Sequence, residues 1–292
     1  MSTPRLGIWI QAARPKTLWA GVAPVVIGSA LAAGDHAFHA TYALLALAGA
    51  VLVQIGTNYC NDYFDFKKGA DTVHRVGPVR ATQAGLVTPR AMATATAVVF
   101  ALAALVCVAM VARAGWPMLV VGAVSVLCGV LYTAGPVPLA YVGLGDLFVL
   151  VFFGPVAVAG TYYVQALALP VHAVVAGIAP GLLSVAILTV NNLRDIETDR
   201  VAGKRTLAVR LGKGFARSEY AACLIGAALV PLALFVAIGR AGGILGSVIL
   251  LPGVLAIRRV GSDEGAALNP MLGRTALLLL AYSVLFSLGW LL

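Results

Sequence analysis

Residues 58–71 read NYCNDYFDFKKGAD, and they continue without a break from residues 40–57, which carry no charge. An apolar run of that length can cross about 30 Å of hydrocarbon at about 1.5 Å per residue. Asp62, Asp65 and Asp71 therefore stand at the end of a membrane span. The chain has only 11 Asp and Glu in 292 residues. Gathering three of them at one such point is expensive and marks the stretch as functional.

The rest of the chain fits that reading. It is 61% hydrophobic and 11% charged, without a polar stretch large enough to form a soluble domain. Nine charge-free apolar windows run over about 17–33, 40–61, 91–112, 116–133, 147–169, 171–190, 220–239, 241–257 and 275–292. They predict an all-α, polytopic membrane bundle of nine transmembrane helices, formed by a single domain over 1–292. Placing the N-terminus in the cytoplasm and alternating sides puts 18 of the 20 Lys and Arg in cytoplasmic segments; Arg113 and Arg240 are the two others. The positive-inside rule predicts such a skew, with the C-terminus outside. Topology thereby accounts for the net charge of +9, and no nucleic-acid partner is needed. The basic start is not followed by a small-residue cleavage site, so no cleavable signal is expected. Cys60, Cys107, Cys128 and Cys223 lack metal-ligand spacing and read as small buried residues.

Two cytoplasmic segments are longer and more polar than the rest, 62–90 and 191–219. Asn58-x3-Asp62 recurs as Asn191-x3-Asp195, four spans later. The repeat suggests a pseudo-symmetric bundle. If each span continues helically, Asn58, Asp62 and Asp65 lie within about 60° of one another, and Asn191, Asp195 and Asp199 within about 80°. Each helix then presents an amide and two carboxylates at the membrane edge, with Asp71 and Glu197 as further acids.

So many anions require a cation. The ligands on offer are oxygens, which favours Mg2+, an ion that prefers to share its shell with substrate phosphates. Lys67, Lys68, Arg75 and Arg80 interleave with the first cluster; Arg194, Arg200, Lys204, Arg205 and Arg210 surround the second. Metal-binding acids beside cationic side chains suit a diphosphate, and a site at the bilayer edge suits one carrying an isoprenoid tail. Ionising an allylic diphosphate leaves a cation that must be kept from water. Aromatic faces could stabilise it: Tyr59, Tyr63 and Phe64 flank the first motif, and Tyr132, Tyr141, Tyr162 and Tyr163 follow, where interfacial anchoring is the competing role.

Four stretches carry a resemblance: NYCNDYFDFKKGADT (58–72), HRVGPVRATQAG (74–85), YTAGPVPLAYVGLGD (132–146) and NNLRDIETDRVAGKRTLAVRLG (191–212). Together with nine spans they resemble the intramembrane aromatic prenyltransferases of the UbiA superfamily. The closer likeness is to the menaquinone branch, which transfers polyprenyl groups to 1,4-dihydroxy-2-naphthoate. The resemblance implies a metal–diphosphate site of Asn58, Asp62, Asp65 and Asp71 with Asn192, Asp195 and Asp199, holding two Mg2+ ions. It places Arg75, Arg80 and Lys204 on the diphosphate, with Lys67, Lys68 and Arg205 as further diphosphate-binding candidates. Arg14, Lys16 and Thr17 of ARPKT fall near the aromatic acceptor, as do Tyr63 and Asp146; Asp146 has a helix-capping role as its alternative. Two extra residues separate Asp71 from the spacing usual in the superfamily. The implied reaction alkylates the dihydroxynaphthoate with loss of CO2 and diphosphate, at the cytoplasmic side of the cell membrane. No general base is evident in the sequence, and neither chain length nor oligomeric state is fixed by it.

Related enzymes acting on 4-hydroxybenzoate or homogentisate are the alternatives within the superfamily. A divalent-cation transporter would also pair acidic helices, but its site belongs near the membrane midplane, which is free of charge here.

Overall fold

The computed structural model describes residues 6–70 and 76–292. Among the described residues every regular element is helical. In chain order these are α1 (Leu6–Ala12), α2 (Pro15–Gly34), α3 (Ala40–Lys67), α4 (Pro89–Ala114), α5 (Trp116–Leu131), α6 (Gly145–Val151), α7 (Ala157–Ala166), α8 (Val171–Arg194), α9 (Ile196–Val201), α10 (Leu207–Ile238), α11 (Leu250–Ser262) and α12 (Asn269–Leu291). A 3-10 turn at Leu139–Tyr141 precedes α6, and a π turn at Phe152–Val156 joins α6 to α7. Further 3-10 segments, Gly242–Ile249 and Gly265–Leu268, lead into α11 and α12.

Local chemistry sets many of these ends. Pro15, Pro89, Pro117 and Pro270 occupy first-turn positions, where the missing N–H costs nothing. Thr88 and Thr206 cap α4 and α10, accepting from Ala91 N–H at 3.2 Å and Val209 N–H at 3.3 Å. Gly115 and Gly239 end α4 and α10 at φ 74° and 72°.

Among the described residues eight helical stretches are long and apolar enough to cross a membrane, and α5 adds a shorter apolar helix of 16 residues. The sequence windows match them closely, except that the last helix starts at Asn269 rather than near 275 and takes in Arg274, and the seventh also starts early. The seventh helix starts at Leu207 rather than near 220, because the Thr206 cap nucleates it before the polar KGFARSE stretch, and Gly212 absorbs a break at φ 86°. Glu219 consequently lies inside α10, where Thr189 Oγ1 on α8 approaches its Oε2 at 3.2 Å.

Helix α8 is the hub. It packs on α2, α6, α7, α10, α12 and the π turn. Ile27, Leu31, Leu183, Leu224, Leu279 and Phe286 are fully buried around it. Its approach to the π turn is backbone on backbone: a Cβ on Gly154 would sit 2.7 Å from the Gly177 carbonyl oxygen. Small residues allow this contact where apolar solvent gives no hydrophobic drive between helices. Leu105, Leu127 and Val236 instead point outward and are exposed, as a lipid-facing surface requires.

The two ends of the bundle differ. One gathers the starts of α2, α10 and α12 with the ends of α3 and α8, tied by Asn58, Lys204 and Arg194. At the other, Asp35 meets Tyr162 Oη (2.9 Å), His172 Nε2 (3.0 Å) and Arg240 Nη1 (3.0 Å), with Arg240 over Trp290.

Candidate functional site

A cavity of about 910 Å³ opens at the first of these ends. Helix α3 supplies one wall because Asn58, Asn61, Asp62 and Asp65 recur on one helical face, and all four line the cavity. Asn58 Nδ2 donates to Ala13 O at 2.8 Å and to Thr17 Oγ1 at 3.3 Å. That fixes α3 against the α1–α2 junction, where Arg14 turns the chain at φ 54°. Asn61 Oδ1 accepts from Thr133 Oγ1 at 2.8 Å. Asp62 accepts the backbone N–H of Ala81 (3.1 Å) and Thr82 (2.9 Å), one on each oxygen. Its carboxylate thereby ties down the loop that carries Arg80.

Asp65, 2% exposed, is the charge hub. Oδ1 accepts from Tyr141 Oη at 2.8 Å, and Oδ2 lies 3.3 Å from Lys204 Nζ and 3.6 Å from Arg80 Nη2. Lys204 Nζ is also 4.0 Å from Asp199 Oδ1, so one ammonium joins the two acidic motifs. Buried carboxylates of this density persist only when paired and hydrogen-bonded.

The opposite wall departs from the sequence expectation of a continuous helix. α8 ends at Arg194, and Asp195, at φ −97° and ψ 10°, is a break before the separate helix α9 that carries Asp199. The Asp199 N–H still reaches the Asp195 carbonyl at 2.8 Å, which keeps both acids on the cavity. The cause is local. Arg194 turns back on Asp195, with Nε on Oδ1 at 2.8 Å and Nη2 on Oδ2. The same guanidinium donates to Asn191 Oδ1 at 2.7 Å and to Asn269 Oδ1 on α12 at 3.1 Å. Asn191 is thus engaged by Arg194, while the buried Asn192 also lines the cavity.

Arg14, Lys16, Thr17, Arg80, Asp146 and Lys204 line the same cavity. Lys67, Lys68 and Arg205 do not. Lys67 and Arg205 are exposed. Lys68 Nζ is drawn to Thr133 O (2.7 Å) and Gly135 O (3.3 Å), where partial burial lowers its pKa against the pull of Asp65. Tyr63 is also absent from the cavity wall. One position on from Asp62, it is rotated about 100° around α3 and packs beside Tyr59, Ala81 and Val87. Tyr162 and Tyr163 lie at the other end of the bundle, bonded to Asp35 and the Ala114 carbonyl. Asp71 and Arg75 fall outside the described residues. Two tyrosines do belong here: Tyr132 on the wall, and Tyr141 behind it, with Lys68 and Lys204 Nζ at 4.9 and 5.0 Å from its ring centroid. Both are among the aromatic side chains that the sequence offers for the allylic cation, in the YTAGPVPLAY stretch between two spans. Asp146 is not an N-cap: Leu144 holds that position in α6 and makes no side-chain capping bond.

Beyond the acidic rim the cavity walls are apolar, built from Val25, Val53, Phe100, Met110, Met118 and Phe152 among others. Among the described residues no three His, Cys, Asp or Glu side chains converge as a closed metal cage. The acids instead face one another across open space, with every candidate ligand an oxygen. Such a donor set fits a hard divalent cation that completes its shell with substrate oxygens.

An all-helical membrane bundle with facing acidic motifs defines a class. The family model that matches residues 21–278 is that of the UbiA prenyltransferase family, and the chain belongs to that family. It is 40% identical to the 1,4-dihydroxy-2-naphthoate octaprenyltransferase of Escherichia coli (strain K12), over 98% of this chain and 95% of that one. It is 42% identical to the 1,4-dihydroxy-2-naphthoate octaprenyltransferase of Mycobacterium tuberculosis (strain ATCC 25618 / H37Rv), over 94% of each. Its fold is similar to that of a UbiA homolog from Archaeoglobus fulgidus bound to GPP and Mg2+, with a TM-score of 0.64, 17% identity, and coverage of 96% and 99%.

Proposed function

We propose that the protein transfers a polyprenyl group from polyprenyl diphosphate to 1,4-dihydroxy-2-naphthoate, with loss of CO2 and diphosphate, giving a demethylmenaquinol. The relatives at 40% and 42% identity act, by their names, on that acceptor. The observation that carries the reading is the cavity's division into a rim of carboxylates and cations and a deep apolar chamber. An amphiphile with a charged head and a hydrocarbon tail matches both parts.

Asn58, Asp62 and Asp65 on one wall and Asn192, Asp195 and Asp199 on the other would hold Mg2+, as would Asp71. Bound there, the ion would neutralise charge developing on the departing diphosphate. Arg80 and Lys204 stand at the same rim, and Arg75 is assigned with them, to bind the diphosphate oxygens. Because Asp65 already pairs with Arg80 and Lys204, these cations are placed before substrate arrives, which limits reorganisation. The apolar chamber excludes water from the allylic cation. Arg14, Lys16 and Thr17 line the side assigned to the acceptor, whose carboxylate needs a cationic partner. The charge skew along the sequence puts the N-terminus and the rim on the cytoplasmic side of the cell membrane.

The test is an acceptor panel with purified protein, Mg2+ and a polyprenyl diphosphate. Prenylated naphthoquinol is the expected product with dihydroxynaphthoate. Chelator abolishes it, and Asp62→Ala or Asp195→Ala lowers the rate by roughly 100-fold or more, the scale set by removal of transition-state charge stabilisation. Reaction with 4-hydroxybenzoate but not dihydroxynaphthoate would move the acceptor assignment; full activity in both variants would overturn the metal site.

A further inference from the structure

Asp146 differs from every other carboxylate on the cavity. Asp62 holds two backbone N–H groups, Asp65 and Asp199 are near Lys204, and Asp195 is gripped by Arg194. Asp146 is 6% exposed, forms no ion pair among the described residues, and its Oδ1 is buried without a hydrogen-bond partner. Leaving a buried carboxyl oxygen unsatisfied costs about 1–3 kcal/mol or more. A position that lines a substrate cavity and bears that cost is fitted to a group the protein does not itself supply.

Its surroundings select the group. Tyr132 packs against the residue before it: a Cβ on Gly145 would lie 3.2 Å from Tyr132 Oη. Tyr132 lines the same cavity as Asp146, Arg14 and the acidic rim. A diphosphate or a substrate carboxylate would be repelled by Asp146, since no cation is paired with it. A neutral hydroxyl on an aromatic ring is attracted, and it can settle beside Tyr132 with its own carboxylate turned toward Arg14.

We propose that Asp146 is the proton acceptor of the transfer, taking the proton of the acceptor's ring hydroxyl and later returning it. The proposal rests on the prenyl-transfer reading above. The C–O bond of the allylic diphosphate breaks, and its electron pair leaves with the diphosphate. The carboxylate-bearing ring carbon bonds to the allylic carbon while the neighbouring hydroxyl passes its proton to Asp146 and becomes a ketone. Loss of CO2 from the alkylated carbon returns an electron pair to the ketone oxygen, which takes the proton back from Asp146. The carboxyl ends as it began, and no oxidant or reductant is consumed.

The experiment compares Asp146→Asn and Asp146→Glu with wild type in detergent with Mg2+, measuring three quantities. They are kcat for prenylated product, KM for polyprenyl diphosphate, and acceptor-free hydrolysis of the diphosphate to polyprenol. Asp146→Asn should lower kcat by about 100-fold to 10,000-fold, the range for losing a general base. KM for the diphosphate and the hydrolysis rate should stay within about threefold, because neither uses the acceptor's proton. Asp146→Glu should recover at least about tenfold over Asp146→Asn, since it restores a carboxyl. Asp146→Asn at near wild-type kcat overturns the proposal. So does a parallel loss of diphosphate KM and hydrolysis, which would mark a structural role. If Asp146→Asn does not yield folded protein, Asp146→Glu decides alone, and loss of hydrolysis in that variant overturns the proposal. Wild-type protein inert toward dihydroxynaphthoate would instead sink the prenyl-transfer reading.

Discussion

Asp62 does two jobs that a count of ligands would miss. As an acid on the α3 face it faces the cavity, and as an acceptor it anchors the Ala81 and Thr82 amides. Charge-assisted bonds to backbone N–H groups are worth about 1.5–3 kcal/mol each, enough to order a short loop. Asp62→Ala should therefore expose this loop as well as remove a metal ligand. Limited trypsin digestion checks it: cleavage after Arg80 should be at least about tenfold faster in the variant, as expected when local opening becomes cheaper by more than about 1.4 kcal/mol. An unchanged cleavage rate would mean other contacts hold the loop. Asp65 contrasts with it, because its partners Tyr141, Lys204 and Arg80 all come from other segments. The i, i+4 and i+7 spacing of Asn58, Asp62 and Asp65 was readable from sequence, since a helix maps spacing onto angle. Tyr141 was readable only as one of several aromatic candidates; its bond to Asp65 depends on how the 3-10 turn at Leu139–Tyr141 packs.

Among the elements, the kinked span formed by α6, the π turn and α7 decides how close the cavity wall comes to the hub helix. Pro155 and the non-helical Gly154 break its hydrogen-bond ladder, and the break lets Gly154 rest on Gly177 and Gly181. A side chain there meets backbone that cannot yield. Gly154→Val should cost more than about 2 kcal/mol through overpacking, seen as a lower Tm in detergent and a poorer yield of monodisperse protein. Unaltered Tm would show that the interface can relax. The same scale shows where periodicity misleads. The spacing of Asn191, Asp195 and Asp199 predicts one continuous helix, whereas Arg194 folding onto Asp195 ends α8 and starts a new one. The i to i+4 bond between Asp195 and Asp199 survives the break, so both acids still reach the cavity.

At the scale of the whole molecule, charge and structure divide the protein into two unlike ends. The acidic rim with its Arg and Lys marks one, and the Asp35, Tyr162, His172 and Arg240 cluster the other. The proposed topology, drawn from the positive-inside skew, puts the rim on the cytoplasmic side. In a background with the native cysteines replaced, Glu197→Cys should react with an impermeant maleimide only in inside-out vesicles. Phe38→Cys, exposed at the other end, should react only in right-side-out ones; the reverse pattern would invert the topology. By itself the sequence determined the helical membrane class, the spans to within a few residues except at the starts of α10 and α12, and the two acidic motifs. These follow from local properties: apolar length, helical angle and charge counts. Only the tertiary structure decided which side chains share a cavity. It brought Tyr132, Tyr141 and Lys204 to the acids, turned Tyr63 and Lys67 away, and left Asp146 Oδ1 buried without a hydrogen-bond partner. Those outcomes depend on how helices distant in the chain pack against one another, which no local spacing encodes.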